Sequence, residues 1–297
     1  MLTLAIAMFC IALLYGVLYL ADSHKKHRKM LRRIRGIAAL QTGVTLMSTI
    51  QQHRGMSSGL LNGNDSFRTG LITKQAEARS IMSHMKALID ASPELARDRR
   101  TLENVATGME AIIGSLKQMT PEQSFSRHTE LVRNTIHLIG DMGEHLGLMD
   151  NEGTPLAMLS NLLLLRLPLL MESIGQARAL GSGYAAKGQV GAVGRIRLSF
   201  LESHIRECRE NMHIPGNNGS AATEKVEALL DLLEKEFIQA DEVNISPEQF
   251  FKAATDAIES CLKLWQDVAQ HTESAIGTRS ISVSTAADHH FREYQRT

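Results

Sequence analysis

Two stretches of the chain place a guanidinium among small and apolar residues. Gln52-His53-Arg54-Gly55-Met56-Ser57-Ser58-Gly59 and Gln176-Ala177-Arg178-Ala179-Leu180-Gly181-Ser182-Gly183 align as Q-x-R-small-apolar-small-S-G at an offset of 124 residues. On a helix Arg54 and Ser58 share a face, as do Arg178 and Ser182, because residues four apart lie one above the other. Gly55 with Gly59, and Ala179 with Gly183, form a stripe of small residues beside them, suited to close helix approach. The chemistry within reach is oxyanion binding. A guanidinium fork meets a planar oxyanion through charge-assisted bonds worth about 1.5–3 kcal/mol each, and several of them support a micromolar site, roughly −8 kcal/mol.

An unpaired buried guanidinium costs several kcal/mol, so each arginine needs an acceptor. Neither motif holds a carboxylate three or four residues from its arginine; Glu172, six positions before Arg178, or residues on other helices remain. If equivalent stripes face each other across a pseudo-twofold axis, the two guanidiniums converge. At ~4 Å they repel by about 4 kcal/mol at an effective dielectric near 20, and an anion between them reverses the sign. The competing reading is structural: each arginine bonds helix-end carbonyls or a distant carboxylate and holds the helices in register.

A second landmark repeats. TPEQSFSRHTELV at 120–132 and SPEQFFKAATDAI at 246–258 share [ST]-P-E-Q-x-F-x-x-x-T-[ED]-x-[VI] at an offset of 126. Two landmarks in the same order at nearly equal offsets point to an internal duplication. The second is a helix start, with Thr120 or Ser246 at the N-cap, Pro121 or Pro247 in the first turn and Glu122 or Glu248 at the positive helix end. Breaks at 61–65 and 91–95, and at 185–189 and 213–221, predict about four helices per copy. Apolar residues recur at helical spacing between them, as in Val226, Leu229, Leu230, Leu233 and Phe237, and no segment alternates as a strand. The expected fold is all-α: two tandem four-helix bundles, 36–150 and 151–272, followed by a polar tail over 273–297.

Residues 2–21 carry no charge and have the length that crosses a hydrocarbon core of ~30 Å as a helix. No basic n-region or A-x-A-like site marks a cleaved leader, so 1–21 is read as a transmembrane anchor. Residues 22–35 form a basic juxtamembrane segment, with Lys25, Lys26, Arg28, Lys29, Arg32, Arg33 and Arg35 against Asp22 alone. The positive-inside rule then predicts a single-pass protein of the inner (cytoplasmic) membrane with its soluble part in the cytoplasm, and the cations suit anionic head groups. The apolar run at 161–171, interrupted by Arg166 and Pro168, is too short for a second span.

A formal net charge of zero argues against a globally basic nucleic-acid surface, so no nucleic-acid partner is expected. Cys10, Cys208 and Cys261 form neither a staple pattern nor a zinc motif. Gly55 to Gly59 matches G-x-S-x-G, but a nucleophile elbow needs a strand before the serine; no catalytic residue is expected. Asp141 and His145 lie four apart without further ligands, and a solvated face is the better reading, so neither metal nor cofactor is expected. The methionines read as core filling.

The pair QQHRGMSS and IGQARALGSGYAAKG, followed by SPEQFFKAATDAI, resembles the nitrate- and nitrite-sensing (NIT) family over about residues 40–272. The resemblance implies an all-helical sensor that binds nitrate or nitrite through arginines and signals by shifting helices. By motif it makes Arg54 and Arg178 the ligand arginines. Ser58 and Ser182, one turn further along the same helix faces, are expected from the spacing to be supporting donors. Where relatives commonly carry Glu before these arginines, this chain has His53 and Ala177. With only 25 residues after Thr272, the expected output is an unidentified signalling protein in trans, and a second copy of the chain is a further candidate partner. The alternative is a non-sensing helical scaffold with structural arginines.

Overall fold

The computed structural model describes residues 2–149, 155–210 and 217–294, and all regular elements among them are helical. In chain order they are α1 (Leu2–Leu61), α2 (Phe67–Asp90), α3 (Arg99–Ser115), α4 (Pro121–His145), α5 (Pro155–Asn161), α6 (Leu167–Lys187), α7 (Ala192–Glu210), α8 (Asn217–Leu233) and α9 (Pro247–Tyr294). Short 3-10 turns occupy Pro93–Asp98 and Leu116–Gln118, and π turns occupy Leu162–Arg166 and Glu234–Ile238. The expected breaks at 61–65, 91–95 and 185–189 fall between helices. At 213–221 the helix resumes earlier than expected, at Asn217, and residues 211–216 lie outside the described residues. The expected boundary at 150/151 also lies outside them. After 272, where a polar tail is expected, the backbone of α9 continues helical to Tyr294.

α1 packs along α2 and α4, with α3 against α4; α6 packs along α7 and α9, with α8 against α9. Contacts of α1 with α9 and α6, and of α4 with α6, join the two sets around a continuous apolar core. Both α4 and α9 start with a full capping box. Thr120 Oγ1 accepts from Gln123 N and Gln123 Oε1 from Thr120 N; Ser246 and Gln249 repeat the exchange. These caps fix where each helix begins, and so the register of the residues one and two turns later.

The stripe of small residues is closely packed at Gly59 but not at Gly55 or Gly183. A Cβ on Gly55 or Gly183 would meet nothing within 4 Å, whereas one on Gly59 would lie 2.3 Å from the Phe67 ring and one on Gly181 2.2 Å from Phe250. The space serves aromatic side chains rather than helix backbones.

Pro168 does not end its helix. α5, the π turn and α6 follow one another without a gap, and the π turn absorbs the proline. Leu167 N donates to Leu162 O in the π pattern. The next such bond would need an N–H from Pro168, which has none, so the Leu163 carbonyl is orphaned. Trp265 Nε1 of α9 donates to it at 2.8 Å. Leu156–Lys187 is thus a helix long and apolar enough to cross a membrane, but 61% of its most apolar window is buried inside the protein, as a core helix requires. α1 behaves differently over its first part. Met8, Phe9, Ile11, Leu13, Leu14 and Tyr15 are all 58% or more exposed, and burial on α1 becomes continuous only from about Ile37.

Between α1 and α4 the core encloses a histidine pair. His53 Nδ1 and His128 Nε2 are 2.7 Å apart, and His128 Nδ1 meets the Ser124 carbonyl at 2.7 Å, so His128 Nδ1 carries the proton there. Burial lowers His53 from 6.5 to about 4; burial, then the charges of His53 and Arg54, lower His128 to about 3 against the opposing pull of the Ser124 carbonyl.

Trp265→Phe keeps a ring but withdraws the donor to Leu163 O, and is expected to cost about 1–3 kcal/mol in chemical denaturation. The histidines are neutral when folded, so below about pH 6.5 the unfolded chain takes up protons that the folded chain refuses. Stability is therefore full above pH 6.5 and falls as pH drops toward 4, by up to ~1.4 kcal/mol per unit for each group. His128→Gln should roughly halve this pH dependence in urea titrations across the window.

Candidate functional site

Near its C-terminal end α1 carries Arg54, which is 1% exposed although it is among the largest side chains of the core. Its acceptor comes from across the molecule. Nη1 donates to Glu172 Oε1 of α6 at 2.6 Å and Nη2 to Glu172 Oε2 at 3.2 Å, the fork-on-fork geometry that suits guanidinium and carboxylate. Gln51 Nε2 donates to Glu172 Oε2 at 2.8 Å and Gln176 Nε2 to Oε1 at 2.9 Å, so each carboxylate oxygen accepts twice. The helices meet closely at this point: a Cβ on Gly175 would come within 2.9 Å of Arg54 Nη2.

Arg178 of α6 is also buried, at 6% exposure. Its Nη1 donates to Thr255 Oγ1 of α9 at 2.9 Å, and its guanidinium lies 4.9 Å from the Phe251 ring centre. Arg54 repeats this arrangement, with Nη1 on Thr129 Oγ1 at 3.0 Å and the Phe125 ring centre at 5.4 Å, both from α4. The two repeated landmarks thus meet in space, arginine from one and Phe-x-x-x-Thr from the other, placed by the matched capping boxes. The rings offer each cation a π face worth about 0.5–2 kcal/mol.

The pairs differ in charge. Glu172 answers Arg54 directly, while among the described residues no carboxylate forms an ion pair with Arg178. Burial, then the like charge of Arg54, push Arg178 down to about 10, with Glu172 acting in the opposite sense. Arg178 remains a cation at neutral pH. Arg54 Nε and, one helical turn after Arg178, Ser182 Oγ are buried without a hydrogen-bond partner. Ser58 and Ser182 are both half-buried as residues, and in the first motif it is Ser57 that turns inward, its Oγ 3.4 Å from His53 Nδ1.

A cleft of about 580 Å³ between α4, α6 and α7 leads toward this cluster; Phe125 and Thr129, which touch Arg54, and Gln176, which touches Glu172, line it. Arg197 of α7 and Glu122 of α4, both among its lining residues, form an exposed ion pair at 2.7 Å. No cluster of three metal-ligating side chains occurs among the described residues. His145, expected on a solvated face, instead turns its Nδ1 to the buried Asp98 carboxylate at 2.9 Å, because the 3-10 turn before α3 brings that acid beneath α4.

The repeated motif marks Arg54 and Arg178 in the sequence, whereas Phe125, Thr129, Phe251, Thr255, Gln51 and the pairing of Glu172 join them only in the fold. The first four had a legible signal, since they are the conspicuous shared letters of the second landmark after its cap. Glu172 had only its proximity to Arg178 along the chain, and it pairs with the other arginine.

A profile of the family described as nitrate and nitrite sensing matches residues 45–273, which include every residue of this cluster. The solved structure of the NasR transcription antiterminator superposes with a TM-score of 0.63 at 16% sequence identity, covering 92% of this chain and 78% of that chain, a likeness of fold. No curated protein matched in sequence. With most of its length inside that profile, and its arginines buried where the two sets of helices meet, the chain belongs to the nitrate- and nitrite-sensing family.

Proposed function

We propose that this protein is a membrane-anchored sensor, built from two tandem four-helix bundles of duplicated origin, that binds nitrate, nitrite or a similar small anion through Arg54 and Arg178. The observation that carries the reading is the excess of buried positive charge at the junction of α1 and α6. Arg178 has a hydroxyl and a ring for neighbours but, among the described residues, no carboxylate in an ion pair with it, and an anion beside it offsets a charge held out of water. Ser182 Oγ, buried and unpartnered, is a supporting donor; Ser58 remains a candidate only if α1 turns it inward. The cleft lined by Phe125, Thr129 and Gln176 is the route of access.

Signalling follows from where the arginines sit. Arg54 is on the same unbroken helix as the exposed apolar stretch near the N-terminus, roughly 50 Å along the axis at 1.5 Å per residue. A ligand that changes how α1 seats on α6 displaces one end of a rod whose other end lies in the membrane. The exposed apolar side chains of residues 8–20 and the cations that follow support an anchor in the inner membrane with the bundles on the cytoplasmic side. The shift would be read by a signalling protein in trans.

The bidentate Arg54–Glu172 pair favours a second reading, a scaffold in which the arginines only tie helices together. Thermal unfolding of the detergent-solubilised full chain at constant ionic strength separates the two. Nitrate or nitrite, but not chloride, is expected to raise the midpoint saturably, by linkage to a site present only in the folded state, and Arg178→Gln should abolish the rise without loss of helicity. Equal effects of all three salts, or a response that survives in both Arg54→Gln and Arg178→Gln, would leave the scaffold reading standing.

A further inference from the structure

The buried cluster can be counted as charge. Arg54 and Arg178 each contribute a cation and Glu172 an anion, all at most 6% exposed. Their remaining hydrogen-bond partners among the described residues, Gln51, Gln176, Thr129 and Thr255, are neutral. The charged residues lining the access cleft, Glu122 and Glu130 against Arg133 and Arg197, cancel. The sum at the junction is a single positive charge.

Glu172 also has no counterpart in the first half. At the 124-residue offset that relates Arg54 to Arg178, its place is taken by Ser48. A strictly repeated site would present two unanswered guanidiniums. This chain supplies an internal oxyanion to one of them, held by four hydrogen bonds from Arg54, Gln51 and Gln176.

We propose that Glu172 sets the valence of the ligand: it occupies the oxyanion position at Arg54 as a resident carboxylate and leaves room in the charge balance for one monovalent anion, excluding divalent ones. The inference rests on the anion-binding reading above. A monoanion brings the buried cluster to neutrality. A dianion leaves a net negative charge in a medium of low dielectric and sheds a hydration shell whose strength grows with the square of the charge, so it stays in water. Glu172 is thus a specificity-determining residue, selecting nitrate or nitrite over sulfate by charge rather than by size.

Two substitutions separate charge from shape. Glu172→Gln removes the charge and keeps the length; Glu172→Asp keeps the charge and shortens the reach. The full chain in detergent is titrated with sodium nitrate and sodium sulfate at constant ionic strength, with the thermal midpoint as the measure of occupancy. Glu172→Gln is expected to gain a saturable response to sulfate, improved on the order of 10- to 100-fold relative to nitrate, while Glu172→Asp continues to ignore sulfate. If Glu172→Gln unfolds in anion-free buffer, the same comparison is read as the salt that restores its helical circular dichroism, with sulfate effective at the lower concentration. Sulfate indifference in Glu172→Gln, or a gain of sulfate binding in Glu172→Asp, overturns the proposal. A wild-type chain unresponsive to nitrate would overturn the sensor reading alone, because the response of Glu172→Gln to sulfate still decides whether the carboxylate holds the place of an anion.

Discussion

A guanidinium buried in protein cannot stand alone, and the joining of α1 to α6 turns on that constraint. Arg54 is the second-largest fully buried side chain among the described residues, and its charge is answered from the other half of the chain by Glu172. Removing either partner would leave an uncompensated charge in the interior, at a cost of about 3–5 kcal/mol. The pair contributes little net stability over an apolar alternative, but it is directional. It sets how α1 lies across α6, and the glycine at 175 is what lets the two approach closely enough for the fork to close.

Around that crossing, the repeated landmarks act as a positioning system. A capping box fixes the first turn of α4 and of α9, and the following turns present a phenylalanine ring and a threonine hydroxyl to the arginine of the same half. These ring and hydroxyl neighbours orient each guanidinium and supply no opposite charge. The scaffold therefore leaves the balance of charge to a few residues, chiefly Glu172.

The same economy governs the backbone. Pro168 would be expected to interrupt the long apolar helix, yet a π turn and one indole N–H from α9 accommodate it. The single tryptophan of the chain is thereby committed to a carbonyl that the proline left without a donor. This ties α9, which carries Thr255 toward Arg178, to the π turn that leads into α6, the helix of Arg178 itself.

Periodicity, caps and breakers were enough to read an all-helical chain and most of its helix boundaries, because they act over three or four residues and are written locally. The two arginines were legible for the same reason, as a motif that occurs twice. Glu172 as the partner of Arg54, the histidine pair and the bond from Trp265 to Leu163 were not, since each joins residues 75 or more positions apart. Residue types along the chain determined that two buried cations would need answering. Only the crossing of α1 and α6 decided that one carboxylate answers Arg54 and leaves Arg178 open, because a charge balance belongs to the residues that meet in space and not to the segments that supply them.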